Sequence, residues 1–562
     1  MAGKMKCLLA AASLAAAAAL FSAARNDDFG LGKNIEILVN LYRDLNLFYV
    51  DTVDADRMLD DAAYGMVSRL DPYTEFLSEE KMSEFEFQST GKYGGIGSLI
   101  RQNGDYVQIA RPYKGSPADK AGLKIGDKIL AIDGRDAKGW TTSEVSAALK
   151  GDPGTPVKLK IRKFYEGTTE EKEILRERIA ISGVPWYGFV SDSIGYIQHN
   201  DFTEACSEDM VKAFMELKNT GRLKGLILDY RSNGGGILQE AVKILSMFVP
   251  KGTTVVSMKG RRQSSDAEYR TESEPLDTQV PIVVLTNSGT ASAAEIVSGA
   301  LQDLDRAVLV GSRTYGKGLV QSTRPLAYNS YVKVTTAKYY IPSGRCIQAI
   351  DYAHRNEDGS VASVPDSLRR EFKTLGGRSV FDGGGITPDV EMTPEYVSRF
   401  ALVLYGKGYI DEFGDAYALA TKEREIPLEG YELPDSVYAA FVEFMADKDV
   451  EFESNTKRAV QRLREAAESE LYLEGIEEQI AAIEENLKDD KQSNLEIHRK
   501  ELGELIEDDI LLRRYYLEGV TSHAVARRAE VLEAIELLGD RARYDSILGR
   551  KADVRAEKDN QR

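Results

Sequence analysis

The stretch VLTNSGTASAAEIVSGAL, residues 284–301, puts one hydroxyl where a strand turns into a helix. An apolar β-type run ends in a polar turn, a helix rich in small residues starts at once, and Ser292 stands at the join. Serine there has two uses. It can cap the helix, and Glu295 completes the Ser-x-x-Glu spacing of a capping box. It can also attack a carbonyl, provided a base takes its proton and N–H donors hold the oxyanion. Of the four histidines, only His199, in the strand-like YIQHND, is a candidate base; His354, His498 and His523 lie in polar or helical surroundings. The other candidate is Lys317, between two glycines in GSRTYGKGLVQS and beside Tyr315, Leu319 and Val320. Burial among such neighbours disfavours the ammonium and lowers its pKa, as a lysine base requires.

Two sources of oxyanion donors are present. The N–H of Ala293 follows the serine at a helix start, where donors lack intrahelical partners. A second strand–loop–helix unit carries SNGGG, Ser232 to Gly236, with Gly235 as its fourth residue. Two parallel βα units point both loops to the same sheet edge, where α/β sites lie.

These residues need a scaffold, and the chain is long enough for several domains, with 562 residues of which 43 % are hydrophobic. A net charge of −18 argues against nucleic acid as the main partner. Residues 1–24 have Lys4 and Lys6 before an apolar, alanine-rich run that ends in small residues, the pattern of a secretory signal peptide or a short anchor. An exported, periplasmic or extracytoplasmic protein is expected. Residues 31–88 read as a helical segment, broken at Pro72. Residues 91–165 alternate in strand fashion between glycine turns, with two short helices and PVKLKIRK as closing strand. Residues 183–395 are dominated by βα units, predicting a mainly parallel sheet. Residues 396–562 are charged and helical; Leu473, Ile476, Ile480, Ile483 and Leu487 form a heptad-like stripe, read as a bundle packing on itself or as a dimerisation arm for a homo-oligomer. Cys206 and Cys346 make no disulfide framework, and the histidines lack metal-ligand spacing, so neither metal nor cofactor is expected.

Residues 91–165 resemble a PDZ domain through YGGIG and GSPADKAGLKIGDKILAIDG. The resemblance implies that Gly95, Ile96 and Gly97 form a loop for a peptide's terminal carboxylate, with the peptide added as a strand. The larger resemblance is to the carboxyl-terminal processing, or tail-specific, proteases. Their Gly-Ser/Thr-Ala-Ser-Ala-x-Glu pattern is matched by Gly289 to Glu295, and their Gly-Lys-Gly-x-x-Gln segment by Gly316 to Gln321. Their Asp-Leu-Arg-x-Asn-Pro-Gly-Gly loop reads Asp229 to Gly236 here, with tyrosine for leucine and glycine for proline. YIPSGRCIQ and GGGITPDV also match. The resemblance implies a multidomain α/β protein with a crotonase-like protease core and a Ser292–Lys317–Gln321 triad. Gln321 would orient the lysine; four residues of extended strand span roughly 13 Å, so contact between the two requires a bend or a helical turn. Ala293 and Gly235 would hold the oxyanion, and protein or peptide tails would be the partners. The alternatives are a non-catalytic PDZ adaptor and a crotonase-like acyl-CoA enzyme, the second disfavoured by the export signal.

Overall fold

A computed structural model describes residues 29–79, 81, 82, 85, 90–356, 358–395, 397–487 and 490–550. The expected signal segment lies outside the described residues. No helix among those described is long and apolar enough to cross a membrane. The chain divides into two compact units, residues 1–82 with 321–335, and residues 83–320 with 336–562.

In the first unit residues 29–48 are helical and a second helix spans Ala55–Val67. Asp54 caps the second helix by accepting the Asp56 and Arg57 N–H groups. The helical pattern expected through residue 88 is interrupted by a strand, Glu75–Leu77, paired antiparallel with residues 331–333. The reason lies in Asp71 and Pro72. The Asp71 carboxylate accepts the Tyr73 and Thr74 N–H groups, both at 2.9 Å, closing an Asx-type turn that ends the helical run before TEFL.

The second unit begins with an antiparallel sheet ordered Ser98–Asn103, Tyr106–Pro112, Lys128–Ile132, Pro156–Arg162, Thr169–Leu175. Alternation in Pro156–Arg162 sends Val157, Leu159 and Ile161 into the core and leaves the lysines outside. PVKLKIRK is therefore not the closing strand. Thr169–Leu175 pairs with it, and Glu177–Ala180 pairs with Lys92–Gly95. The signal for the extra strand was weak because TEEKEIL is an edge strand whose outer positions carry charge.

The central sheet of this unit has six strands, ordered Trp186–Phe189, Ile194–Gln198, Gly225–Asp229, Ile282–Thr286, Ala307–Gly311, Val390–Glu391. The first pair is antiparallel and the others are parallel. The three middle strands are buried along their whole length, so they read as continuous apolar runs rather than alternating ones. One face, with Leu226, Leu228, Val284 and Leu309, packs with residues of the helices Cys206–Asn219, Leu238–Ser246 and Ala293–Asp303. The other, with Ile227, Val283, Leu285, Val308 and Val310, packs with Val531, Ala534 and Leu537 of the helix Ala529–Gly539 and with Tyr544 of Arg541–Ile547. Each such side chain removed from water is worth about 1.5–3 kcal/mol. The last two helices thus complete the sheet's core, a role that charged helical composition after residue 396 does not announce. The helices between Arg399 and Val525 have a separate core around Phe400, Phe413, Phe441 and Leu502. In the stripe, Ile480 is buried while Ile483 is 43 % exposed; the helix Leu473–Asn486 packs on its neighbour Asn455–Ser469, as a bundle folding on itself would. Cys206 and Cys346 are both free thiols.

Candidate active site

Three loops leave the carboxyl ends of adjacent parallel strands and interlock. After Ile282–Thr286 the Asn287 side chain accepts the Gly289 N–H within its own turn and the Ser232 N–H of the neighbouring loop, at 2.9 and 2.8 Å. Thr290 donates its hydroxyl to the Tyr230 carbonyl, and the Ala291 N–H donates to the Asn233 carbonyl. After Ala307–Gly311, the Tyr315 N–H donates to the Thr290 carbonyl. These ties bring the sequence-predicted loops together at one edge, as expected from two βα units in register.

Ser292 caps the helix Ala293–Asp303 in an unusual way. Its φ of 55° and ψ of −117° lie outside the extended region that N-cap residues occupy. A non-glycine residue held there stores strain on the order of 1–3 kcal/mol, and such sharp strand-to-helix turns lift a nucleophile clear of its helix. A serine serving as a cap alone needs no such strain.

Glu295 supplies the constraint. It is 0 % exposed, and both its oxygens are saturated with donors. Oε2 accepts the Ser292 N–H at 2.9 Å and the Lys317 N–H at 2.8 Å. Oε1 accepts the Gly316 N–H at 2.8 Å and the Thr314 hydroxyl at 2.5 Å. One carboxylate oxygen thus holds the backbone of the serine and of the lysine within about 3 Å of itself. Burial pushes the Glu295 pKa up, and the bonds from Thr314, Lys317, Gly316 and Ser292 oppose that push. Sequence reasoning found Glu295 as a capping partner and missed this second grip, because only the fold brings residue 316 beside residue 295.

Lys317 is half-buried, with Leu319 and Val320 buried beside it in the chain. Tyr315, expected to help enclose the amine, is instead 46 % exposed. The flanking glycines are required by space. A Cβ on Gly318 would stand 2.7 Å from the Gln348 nitrogen, and one on Gly316, where φ is 85°, would collide with Ala349.

Gly235 abuts the serine. A Cβ there would lie 2.7 Å from the Ser292 Cβ and 2.8 Å from the Ala293 nitrogen. Its N–H, however, donates to the Asn233 side-chain oxygen at 2.8 Å, so the expected free donor is engaged within its own loop. The reason is the Asn-Gly-Gly sequence, in which asparagine closes a turn on the N–H two residues on. Ala293, 1 % exposed, is the first residue of its helix, whose leading N–H groups have no intrahelical acceptor. Gln321 belongs to the first unit; there its amide donates to the Thr335 hydroxyl at 3.2 Å, which donates to Asp71 at 3.1 Å. The helical turn considered for residues 317–321 is not present: Leu319–Pro325 is a strand.

His199 is removed as a candidate base. Its side chain is 0 % exposed, packed against the stacked rings of Phe202 and Tyr230 at 4.4 and 5.3 Å. Burial pushes its pKa down to about 3, against smaller pulls from the Asp201 backbone and the Glu240 carboxylate. Its backbone serves instead, the carbonyl accepting the Asn233 amide at 2.7 Å.

Gly95 ends the strand Lys92–Gly95, which pairs with Glu177–Ala180 in a two-stranded sheet of its own, and Ile96 is buried. The Ile96 carbonyl accepts the Ala118 N–H, and the Gly97 carbonyl accepts the Tyr113 N–H and the Ser116 hydroxyl. Because a peptide unit's N–H and C=O point opposite ways, the Gly97 N–H is turned away from the short helix Pro117–Lys120. A Cβ on Gly97 would come within 2.5 Å of the Ser116 Cβ. The next strand, Ser98–Asn103, is a sheet edge, with the helix Thr142–Leu149 packed beside it.

Residues 193–354 match the model of peptidase family S41, residues 108–163 that of the PDZ domain, and residues 400–538 that of the probable PDZ-protease C-terminal helical domain. The chain is similar to a carboxy-terminal-processing protease of Bartonella bacilliformis, 34 % identical over 328 residues, which are 58 % of this chain and 75 % of that protein. It is also similar to a probable CtpA-like serine protease of Staphylococcus aureus, 34 % identical over 315 residues, covering 56 % of this chain and 62 % of the relative. Among solved structures, a photosystem II D1 C-terminal processing protease aligns at 27 % identity and a TM-score of 0.35, over 64 % of this chain and 87 % of that one.

Proposed function

Since the chain belongs to peptidase family S41, with the carboxy-terminal-processing proteases, and is a serine endopeptidase carrying a PDZ domain, we propose that Ser292 is its nucleophile and Lys317 its general base. The observation that carries this reading is the single Glu295 oxygen that accepts both the Ser292 and the Lys317 N–H. Neutral Lys317 takes the hydroxyl proton of Ser292 as Oγ attacks the scissile carbonyl. The tetrahedral intermediate collapses to an acyl-enzyme, and the lysine ammonium passes its proton to the leaving amine. Water then attacks the ester carbonyl, giving its proton to Lys317, and the serine hydroxyl is regenerated. The Ala293 N–H faces the oxyanion, and the Gly235 N–H joins it by exchanging the Asn233 oxygen for the substrate oxygen. For Gln321, its place in Gly-Lys-Gly-x-x-Gln supports a role in orienting the lysine; with Leu319–Pro325 a strand, the two side chains meet only if the segment bends.

Substrates are proteins or peptides with free C-terminal tails. The edge strand Ser98–Asn103 accepts the tail as an added strand, and the loop Gly95, Ile96, Gly97 receives its carboxylate. The basic head and apolar run in residues 1–24 support export to an extracytoplasmic compartment.

The test is cleavage of an unfolded substrate with an apolar C-terminal tail by the wild type, Ser292→Ala and Lys317→Arg. Arginine keeps the charge and cannot release a proton at working pH, so both variants should be inactive while still binding the tail. Turnover by Ser292→Ala would refute the nucleophile. Near-wild-type turnover by Lys317→Arg would refute the base.

A further inference from the structure

The C-terminal helices reach the catalytic edge of the sheet through Arg231. Arg231, in the loop that carries Gly235, is held on two sides. Asp229 accepts its backbone N–H at 2.9 Å, its Nε at 3.0 Å and one terminal nitrogen at 2.6 Å. The Tyr196 hydroxyl donates to the same carboxylate at 2.5 Å. The other terminal nitrogen donates to Glu530 at 2.9 Å. The Arg231 and Glu530 side chains are only 17 % and 14 % exposed. Glu530 occupies the first turn of the helix Ala529–Gly539, next to Val531, whose side chain is buried against the back of the catalytic sheet. At the opposite end of the sheet Tyr544 donates to the Ile282 carbonyl at 2.9 Å and accepts the Ile282 N–H at 3.0 Å. The helix pair therefore grips both ends of the strands that carry the site.

The loop beyond Arg231 is anchored again before it reaches the serine, the Asn233 carbonyl accepting the Ala291 N–H and the Gly235 carbonyl the Phe202 N–H. Ser232 donates to Asn287, Asn233 is tied to Tyr230 and His199, and Gly235 then rests against Ser292. Ser232 itself has a φ of 59°, an unfavourable value for serine that holds only while its flanks are fixed. The guanidinium of Arg231 is the flank on the strand side.

We propose that Glu530 is a positioning residue for catalysis: through Arg231 it sets the Ser232–Gly236 loop against Ser292, so that the C-terminal helical domain is a working part of the active site. The proposal rests on Ser292 as nucleophile and on the loop as oxyanion wall. A charge-assisted bond between two largely buried side chains resists the pull of solvent. A loop displaced by about 1 Å at the reacting centre is enough to cost about a hundredfold in rate.

The test uses the full chain and a fluorogenic peptide with a free apolar C-terminus, with Glu530→Ala, Glu530→Gln, Ser292→Ala and a control, Glu533→Ala. Glu533 pairs with Arg543 on the same helices and does not touch the loop. Rates are normalised to folded protein by thermal melting of each sample. Glu530→Ala should lower kcat by about tenfold or more with KM within about twofold, the split expected of a lost transition-state contact. Glu530→Gln, which keeps an acceptor for Arg231, should fall between it and the wild type, and Glu533→Ala should match the wild type. A Glu530→Ala kcat equal to that of the wild type overturns the proposal. So does a loss that vanishes on normalisation, or one that Glu533→Ala shares. If Ser292→Ala remains active, the nucleophile reading fails first; if it is inactive while Glu530→Ala turns over normally, the positioning role alone fails.

Discussion

Acidification should loosen the protease sheet through one imidazole. His199 is fully buried, and its pKa is pushed down to about 3. In the unfolded chain it returns to about 6.5. Below pH 6.5 the unfolded state therefore binds a proton that the folded state refuses. The stability tied to this group is complete above pH 6.5 and drains away as pH falls towards about 3. With about 1.4 kcal/mol for each pH unit of separation, the loss is about 2 kcal/mol at pH 5 and about 3 kcal/mol at pH 4. Other groups titrate in this range, so the measurement is a difference between the wild type and His199→Leu. The chain has two tryptophans, and Trp186 lies in the central sheet with its ring 5.5 Å from that of Tyr196. In a Trp140→Phe background, urea unfolding followed by Trp186 fluorescence at pH 7.5 and pH 5 gives the stability change of that sheet. The wild type should lose about 2 kcal/mol more than His199→Leu between the two pH values. Parallel losses in the two proteins would mean that the buried imidazole can accept a proton, and the reasoning would fail.

Glu295→Ala strips four donors of their acceptor; it should cost about 3 kcal/mol or more in thermal unfolding and abolish cleavage. Gly235→Ala places a methyl within 2.7 Å of the Ser292 Cβ at a φ of 93°; kcat should fall by about a hundredfold or more, with tail binding measured by fluorescence polarisation unchanged. Amidating the C-terminus of a peptide substrate should raise KM if Gly95, Ile96 and Gly97 receive a carboxylate, and equal KM values for acid and amide would refute that role.

The sequence determined the parts that depend on neighbours along the chain. The apolar runs 225–229, 282–286 and 307–311 specify buried parallel strands. Glycines at 235, 316 and 318 stand where any side chain would collide. Ser292 with Glu295 marks the helix start. Wherever the partner is remote in sequence, tertiary structure decided. Glu295 reads as a cap, and its grip on Lys317 exists only because adjacent strands deliver residues 292 and 317 to one edge. His199 reads as a candidate base in YIQHND; the rings of Phe202 and Tyr230 pack against it, and desolvation leaves it neutral. The helix Ala529–Gly539 reads as part of a charged tail, yet its apolar face covers the second side of the sheet and its Glu530 meets Arg231 almost three hundred residues away. Local propensity and spacing are written in adjacent residues; burial and a buried charge's choice of partner are properties of the packed chain, and there the physics of desolvation rather than the pattern of letters selects the outcome.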